Sequence, residues 1–232
     1  MVRISGGGLS RNPFGNVSAK GTQTTKQTDS VGQQMQNSLF GKKKPPILDE
    51  DDAQISALMG RLQAYRKRLA RLAGDEENDY DLVLSAGTIA MIDQNGLIYV
   101  GKEFLLGKAD DLDTQVGVLA HEIGHRPKRW NEYKQENVLT KDEQEKICRT
   151  EETRADYFAG KALAELGLDP APLCRFLQDI QTHPHPEYFS AELRVECVLE
   201  GYDDGKRRSS NVSKFFPEFS RMTGAKGDLG IG

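Results

Sequence analysis

Apolar residues recur at spacings of three and four between Asp49 and about Ala73, and this period predicts an amphipathic helix. Acidic residues at 49–52 lie at the helix start, where the helix dipole favours negative charge. The basic residues of the stretch fall outside the apolar face and are expected to face solvent. The apolar face comprises Ile55, Leu58, Leu62, Tyr65, Leu69 and Leu72.

A second helix is predicted from about Asp111 to His125. Its apolar stripe consists of Leu112, Val116, Leu119 and Ile123. At 100° per residue, His121 and His125 fall nearly opposite this stripe, so one face can pack on a core while the other presents two imidazoles. Pro127 disfavours helical geometry at the residue before it, so the helix is expected to end just after His125.

A small sheet is predicted between the two helices. The segments 82–84 and 88–93 have the composition of strands. Asn95-Gly96 is a strong signal for a two-residue hairpin turn, and 97–100 follows as the return strand.

The chain after His125 alternates between polar segments and helical patterns. Residues 126–145 are charged and poor in apolar residues, which predicts a surface excursion. Helices are predicted at about 150–166, 172–180 and 189–199. Between the last two, each residue before a proline in Thr182-His183-Pro184-His185-Pro186 is expected to be extended.

Composition divides the chain into one domain and two polar ends. Residues 1–45 are rich in Gly, Ser, Thr, Gln and Asn and are predicted to be disordered or regulatory. Residues 46–202 are predicted to form the folded domain, and 203–232 a flexible tail. The basic run at 42–44 is expected to be a solvated linker, although contact with a membrane or nucleic acid stays open.

Charge and cysteine content exclude several classes of protein. A formal net charge of −4 gives no reason to expect nucleic-acid binding. Cys148, Cys174 and Cys197 are odd in number and lack close spacing, which fits a reducing compartment. No stretch is apolar enough to predict integral membrane association, and the first residues lack the apolar core of a signal peptide. A soluble cytoplasmic protein is expected, with leaderless secretion as an alternative and the oligomeric state open.

The strongest chemical signal is His121-Glu122-Ile123-Gly124-His125, an H-E-x-x-H pattern on the second predicted helix. Two histidines four residues apart lie one turn apart on the same face, so both imidazoles can reach one metal ion. Glu122 projects beside that ion, where it can act as a general base on a water molecule. The alternative is a surface helix that carries two histidines by chance.

A catalytic zinc usually takes three protein ligands and keeps one open position. Glu152 is a candidate third ligand, 27 residues after His125 on a predicted helix. Asp156 lies one turn later on the same face, where it can accept a hydrogen bond from a ligand imidazole and fix its tautomer. A solvated, acidic helix start would explain Glu152 equally well if it stood alone.

The histidine motif is followed by Glu152-Thr153-Arg154-Ala155-Asp156 and then by Gly167-Leu168-Asp169-Pro170. With these motifs, the chain resembles the HtpX and CAAX-prenyl-protease group of gluzincin metallopeptidases over about residues 80–200. The resemblance implies an α+β, zincin-like domain whose active-site helix and ligand helix pack on a small, mostly antiparallel sheet. It implies that His121, His125 and Glu152 are Zn²⁺ ligands and that Glu122 is the general base. It also implies that Asp156 contacts a ligand imidazole without binding the metal itself.

Two features depart from that family. Many of its members carry transmembrane segments, so this chain is more similar to the small soluble ones. The family's Thr-His-Pro is followed closely by an arginine, whereas here Arg194 comes later than His183 would predict. His183, Arg194, Tyr157 and Tyr188 are candidates for binding substrate or stabilising the oxyanion, and a polar loop explains His183 as well.

Three functions are consistent with these observations. The first is a zinc endopeptidase that acts on a protein or peptide substrate, with an extended peptide added as a strand in the region 88–100. The second is a zinc-stabilised regulatory or interaction protein with a silent site. The third is a latent protease inhibited by its own terminal segments.

Overall fold

The computed structural model describes residues 29–133, 138–181 and 189–215, with side chains for all of these except Asn131 and 209–215. These ranges contain seven α-helices and one three-stranded sheet, which confirms the α+β class. The helices are α1 (Val31–Phe40), α2 (Ala53–Ala73), α3 (Lys102–Gly107), α4 (Leu112–Gly124), α5 (Lys141–Leu166), α6 (Ala171–Ile180) and α7 (Ala191–Phe215). The strands are β1 (Asp81–Ser85), β2 (Ala90–Ile92) and β3 (Leu97–Gly101).

Helices α2 and α4 form where the apolar period predicts them, and side-chain caps fix their starts. The Asp52 carboxylate accepts hydrogen bonds from the backbone N–H groups of Gln54 and Ile55, which have no partner within the helix. Asp111 caps α4 in the same way. The predicted stripe of α4 packs into the main core, where Val116, Leu119 and Ile123 are all buried.

The sheet is mixed, so the expectation of a mostly antiparallel sheet is wrong. The strand order is β1-β3-β2. β2 and β3 form the predicted antiparallel hairpin, but β1 pairs in parallel with β3 from Asp81 opposite Leu97 to Ser85 opposite Gly101. Alternation of apolar residues within a strand indicates which face is buried but not which strand is its neighbour, so strand order could not be read from it.

The outer edge of β1 is covered by the chain that follows α1. Leu48 N–H donates to the Leu84 carbonyl at 2.9 Å, and Ala86 N–H donates to the Pro46 carbonyl at 3.1 Å. β2 forms the other edge of the sheet. One edge of the sheet is thus paired within the chain, and the other lies beside the candidate site described below.

The N-terminal expectation needs correction for residues 31–40, which form helix α1. Val31, Met35 and Leu39 recur at intervals of four and are buried against Trp130, Leu139 and Cys148 in a second, smaller core. The average composition of residues 1–45 concealed this short apolar stripe. Residues 1–28 lie outside the described residues.

The C-terminal expectation also needs correction, since α7 continues to Phe215 rather than giving way to a tail at 203. Gly201 and Gly205 both lie where α7 contacts α5. A Cβ on Gly205 would come within 2.7 Å of the Lys161 carbonyl oxygen. These glycines therefore permit close helix packing. Residues 216–232 are outside the described part of the chain.

The charged segment 126–145 is not simply a surface excursion. A short 3₁₀ helix spans Pro127–Glu132, and the side chain of Trp130 within it is completely buried. α5 then begins at Lys141, earlier than predicted, because Thr140 and Glu143 form a capping box there.

Among the described residues, no helix combines the length and apolar content needed to cross a bilayer.

Close packing of α5 on α7 predicts a large cost for the substitution Gly160→Ala. The new Cβ would lie 1.8 Å from the Val198 carbonyl oxygen, so the two helices must separate. Overpacking of this kind costs about 1–3 kcal/mol. Gly60→Ala is the matched control, because a Cβ on Gly60 in α2 meets nothing within 4 Å. The control should gain about 0.5–1 kcal/mol. Equal thermal unfolding midpoints for the two variants would contradict this packing.

Candidate metal centre

The two histidines of the motif lie at the C-terminal end of α4 with their rings side by side. The ring centroids of His121 and His125 are 4.8 Å apart and the ring planes are nearly perpendicular, at 85°. His125 is fully buried, whereas His121 lines a cleft. α4 ends at Gly124 because Arg126, the residue before Pro127, takes a left-handed conformation with φ 46° rather than a helical one.

Helix α5 brings Glu152 to both imidazoles. Glu152 Oε2 lies 3.4 Å from His121 Nε2, and Glu152 Oε1 lies 3.7 Å from His125 Nε2. This approach depends on a glycine, since a Cβ on Gly124 would come within 2.8 Å of the Ala155 Cα atom. One potential ligand atom from each of the three residues lies within 4.8 Å of the others. The structure therefore brings together the set that the sequence proposes as ligands.

Two of the three candidate ligands, His125 and Glu152, have buried polar atoms without a hydrogen-bond partner among the described residues. Within the described part of the chain, His125 Nε2 and both carboxylate oxygens of Glu152 have no hydrogen-bond partner. Buried polar atoms are normally hydrogen-bonded, and leaving them unpaired is costly. A divalent cation between the three residues would satisfy these atoms, and a set of two imidazoles and one carboxylate suits zinc. The residues present thus fit a zinc ion.

Asp156 and Arg194 form a second layer behind the candidate ligands. Asp156 Oδ1 lies 2.8 Å from His121 Nδ1. From α7, Arg194 Nε and Nη2 donate to the two oxygens of Asp156 at 2.7 and 2.9 Å. A carboxylate beside Nδ1 favours the tautomer that leaves Nε2 for a metal, and the arginine fixes the carboxylate in turn. Arg194 Nη2 also lies 3.6 Å from Glu152 Oε2.

Glu122 is buried and close to the end of the sheet. The Ile92 backbone N–H hydrogen-bonds its carboxylate, while Oε2 has no hydrogen-bond partner among the described residues. Glu122 also lines the same cleft as His121 and Glu152. A carboxylate with one oxygen held and the other unpaired in a cleft is placed to take up a proton from a small molecule there.

Burial and mutual charge shift the ionisation of the whole group. Burial opposes the charge of His121, but the nearby Asp156 and Glu152 outweigh it and raise the His121 pKa to about 10. Burial lowers the His125 pKa to about 3. Burial raises the Glu122 pKa to about 7, close to the value that suits a general base at neutral pH. In Glu152 and Asp156 the charge of His121 more than offsets burial and lowers each carboxyl pKa.

Without a metal ion, the neighbouring carboxylates of Asp156 and Glu152 favour the protonated form of His121. A metal ion needs neutral imidazoles, so its binding would displace this proton and take over the same favourable interaction with the carboxylates.

A cleft of about 860 Å³ opens beside the candidate ligands. One wall is the turn before β2 and the start of that strand, from Ala86 to Met91. The apolar face of α6 and the chain at 43–46 also line the cleft. The apolar lining residues include Val118, Leu173, Phe176, Leu177 and Ile180. The volume and the mixed lining are typical of a pocket that binds a ligand or substrate.

The remaining residues proposed from the sequence are placed differently. Arg194 lies at the site, where it holds Asp156. Tyr157 lines a second groove with Arg149 and Cys197 rather than the cleft, so the structure does not bring it together with the candidate ligands. His183 and Tyr188 are outside the described residues.

Two neighbours of the site were not proposed from the sequence. Phe40, at the end of α1, packs edge-on against the His125 ring with 5.4 Å between centroids. Ile92 supplies the N–H that contacts Glu122. No spacing rule links Phe40 to His125, because 85 residues separate them. Strand alternation in β2 could have indicated which backbone groups face the helix.

Comparison with known proteins finds no family model that matches the chain, and no curated protein or solved structure with significant similarity. Its function is therefore inferred from its own residues and their geometry.

Proposed function

We propose that this protein is a zinc-dependent endopeptidase of the zincin type, in which His121, His125 and Glu152 bind the metal and Glu122 is the general base. The observation that carries the proposal is the convergence of one potential ligand atom from each of the three residues within 4.8 Å, where those of His125 and Glu152 are buried without a hydrogen-bond partner among the described residues and His121 and Glu152 line a cleft. A solvated histidine pair on a surface helix would not show this burial.

A bound zinc ion would supply Lewis acidity, acidifying a water molecule and polarising the scissile carbonyl. Glu122 accepts the proton of the attacking water and delivers it to the leaving amine. Its raised pKa, caused by burial, suits both transfers near neutral pH. Asp156 and Arg194 keep the His121 ring in one orientation throughout.

The edge strand β2 supports an extended peptide as the substrate. Asp93 N–H donates to the Leu97 carbonyl, and the Ile89 carbonyl accepts from Gly101 N–H, so these residues face β3. By strand alternation, the backbone groups of Ala90 face the other way, toward the cleft, where the carbonyl also accepts a hydrogen bond from Thr88 Oγ1 at 3.2 Å. A peptide can therefore pair with β2 as an added strand and pass in front of the candidate ligands. Pairing through the main chain would not by itself give sharp sequence selectivity.

A peptide-cleavage assay separates this function from a silent zinc-binding regulator. The assay uses the zinc-loaded full chain and a mixture of unstructured peptides, with products identified by mass spectrometry. We expect cleavage within the peptides that is blocked by a chelator and restored by zinc. A chain that holds one zinc but cleaves none of the peptides would favour the regulatory function.

A latent form of the protease is a second candidate, because residues 43–46, which follow α1, line the cleft. In the sequence, residues 1–28 precede α1, and α1 is followed by residues 43–46. Removal of residues 1–28 tests latency directly, since it leaves α1 and residues 43–46 intact. A faster rate of peptide cleavage would support inhibition by the N-terminal segment, and an unchanged rate would argue against it.

Deletion of residues 1–45 is expected to destabilise the domain rather than activate it. It removes α1, whose Val31, Met35 and Leu39 side chains are buried over Trp130. Each such side chain contributes about 1.5–3 kcal/mol when it is fully buried, so the loss should be several kcal/mol. The deletion of 1–28 is the matched control for thermal unfolding. Equal midpoints for the two truncated chains would show that α1 adds nothing to stability.

A further inference from the structure

Next to the proposed ligand Glu152 lies a second buried glutamate, Glu151, which points the other way. Its side chain is fully buried, and its carboxylate accepts hydrogen bonds from three side chains. Trp130 Nε1 donates to Oε2 at 3.0 Å, Arg154 Nη1 donates to Oε1 at 2.9 Å, and the Tyr133 hydroxyl also donates to Oε1. A buried carboxylate is stable only with such partners, so this network has a fixed geometry.

Trp130 joins the network to the end of helix α4. Its Nε1–H is shared between Glu151 and the backbone carbonyl of His125, which lies 3.1 Å away. Carbonyl groups in the last turn of a helix have no partner within the helix. The left-handed conformation of Arg126 reverses the chain there, and the 3₁₀ helix brings Trp130 back against the carbonyl.

The network therefore connects the backbone of one proposed ligand to the neighbour of another. His125 is held through its carbonyl on α4, and Glu152 is held through the adjacent Glu151 on α5. His125 Nε2 and Glu152 Oε1 lie 3.7 Å apart, and neither has a hydrogen-bond partner in the described part of the chain. The separation of the two helix segments at this point sets the size of the metal site.

We propose that Trp130 and Glu151 are positioning residues that hold His125 and Glu152 at the spacing a metal ion requires. This inference rests on the proposed metal centre. Neither residue belongs to the proposed ligand set, so each acts through the ligand to which it is linked. Outer partners of this kind typically change metal affinity by about 10–100-fold.

A purely structural role is the competing explanation, because the Trp130 ring also fills the small core beneath α1. Trp130→Phe separates the two roles, since phenylalanine keeps an aromatic ring there but removes the N–H donor. Glu151→Gln and Glu151→Ala form a second pair. Glutamine keeps one oxygen as an acceptor for Trp130, whereas alanine removes the acceptor altogether.

The test measures the zinc dissociation constant of each full-length variant by competition with a chromogenic chelator, together with the unfolding midpoint of the metal-free chain. We expect zinc affinity to fall about 10–100-fold in Trp130→Phe and in Glu151→Ala. Glu151→Gln should bind zinc more tightly than Glu151→Ala, because it restores the acceptor for the Trp130 N–H. This rescue also decides the question if Trp130→Phe does not fold.

Leu69→Ala is the control for lost stability, since Leu69 is fully buried in the main core and does not line the cleft. It should lower the unfolding midpoint and leave the zinc dissociation constant unchanged. Zinc affinities within twofold of the wild type in Trp130→Phe and both Glu151 variants would overturn the positioning role. A wild-type chain that binds no zinc would instead overturn the proposed metal centre and this inference together.

Discussion

The Glu122→Gln variant is expected to bind zinc as the wild type does and to lose peptide hydrolysis. Glutamine has nearly the same shape and can still accept the hydrogen bond from Ile92 N–H, so the fold and the three ligands stay in place. It cannot take a proton from the attacking water. General-base catalysis typically contributes about 10²–10⁴-fold, and kcat/KM should fall by that factor.

The measurement pairs zinc content with the rate of peptide cleavage for the same sample. Glu103→Gln is the matched control, because Glu103 is an exposed residue of α3 and does not line the cleft. The control should keep both the metal and the activity. Hydrolysis at the wild-type rate in Glu122→Gln would refute the proposed mechanism even if zinc is bound.

Replacement of Glu152 by alanine should have the largest effect on the metal itself. The substitution removes the only carboxylate among the three proposed ligands and leaves two imidazoles beside Asp156 and Arg194. Zinc affinity should fall by more than the roughly 100-fold that is typical for loss of an outer partner. Equilibrium dialysis against a chelator of known affinity measures this loss.

Glu165→Ala is the control for this variant, since Glu165 lies on the same helix α5 but is exposed. It should bind zinc with unchanged affinity. If Glu152→Ala still purifies with one zinc per chain, the ion is held by other residues and the assignment of Glu152 is wrong.

The elements that were predictable from the sequence are those with a strong local period or turn signal. The stripe Val116, Leu119 and Ile123 predicts α4, and Asn95-Gly96 predicts the β2–β3 hairpin. Both depend on residues a few positions apart. The spacing of the two histidines on α4 is also a signal between residues a few positions apart, so the pair His121 and His125 could be proposed before any fold was known.

The features that were missed depend on contacts between distant parts of the chain. The parallel pairing of β1 with β3 requires a choice of strand order that alternation does not carry. α1 was not predicted because its three buried apolar residues lie in a segment whose overall composition is polar. Arg194 departs from the expected spacing, yet the packing of α7 on α5 brings it to Asp156 from 38 residues away. Glycines such as Gly201 and Gly205 suggest flexibility when a segment is considered alone. In the structure they allow α7 to pack closely on α5.

The metal content of the purified full-length protein, measured by mass spectrometry without added zinc, tests the central claim most directly. The arrangement of His121, His125 and Glu152 predicts about one zinc per chain, since a catalytic zinc site binds one ion through three protein ligands. A folded protein that contains no zinc, and takes up none when zinc is offered, would contradict the proposed metal centre.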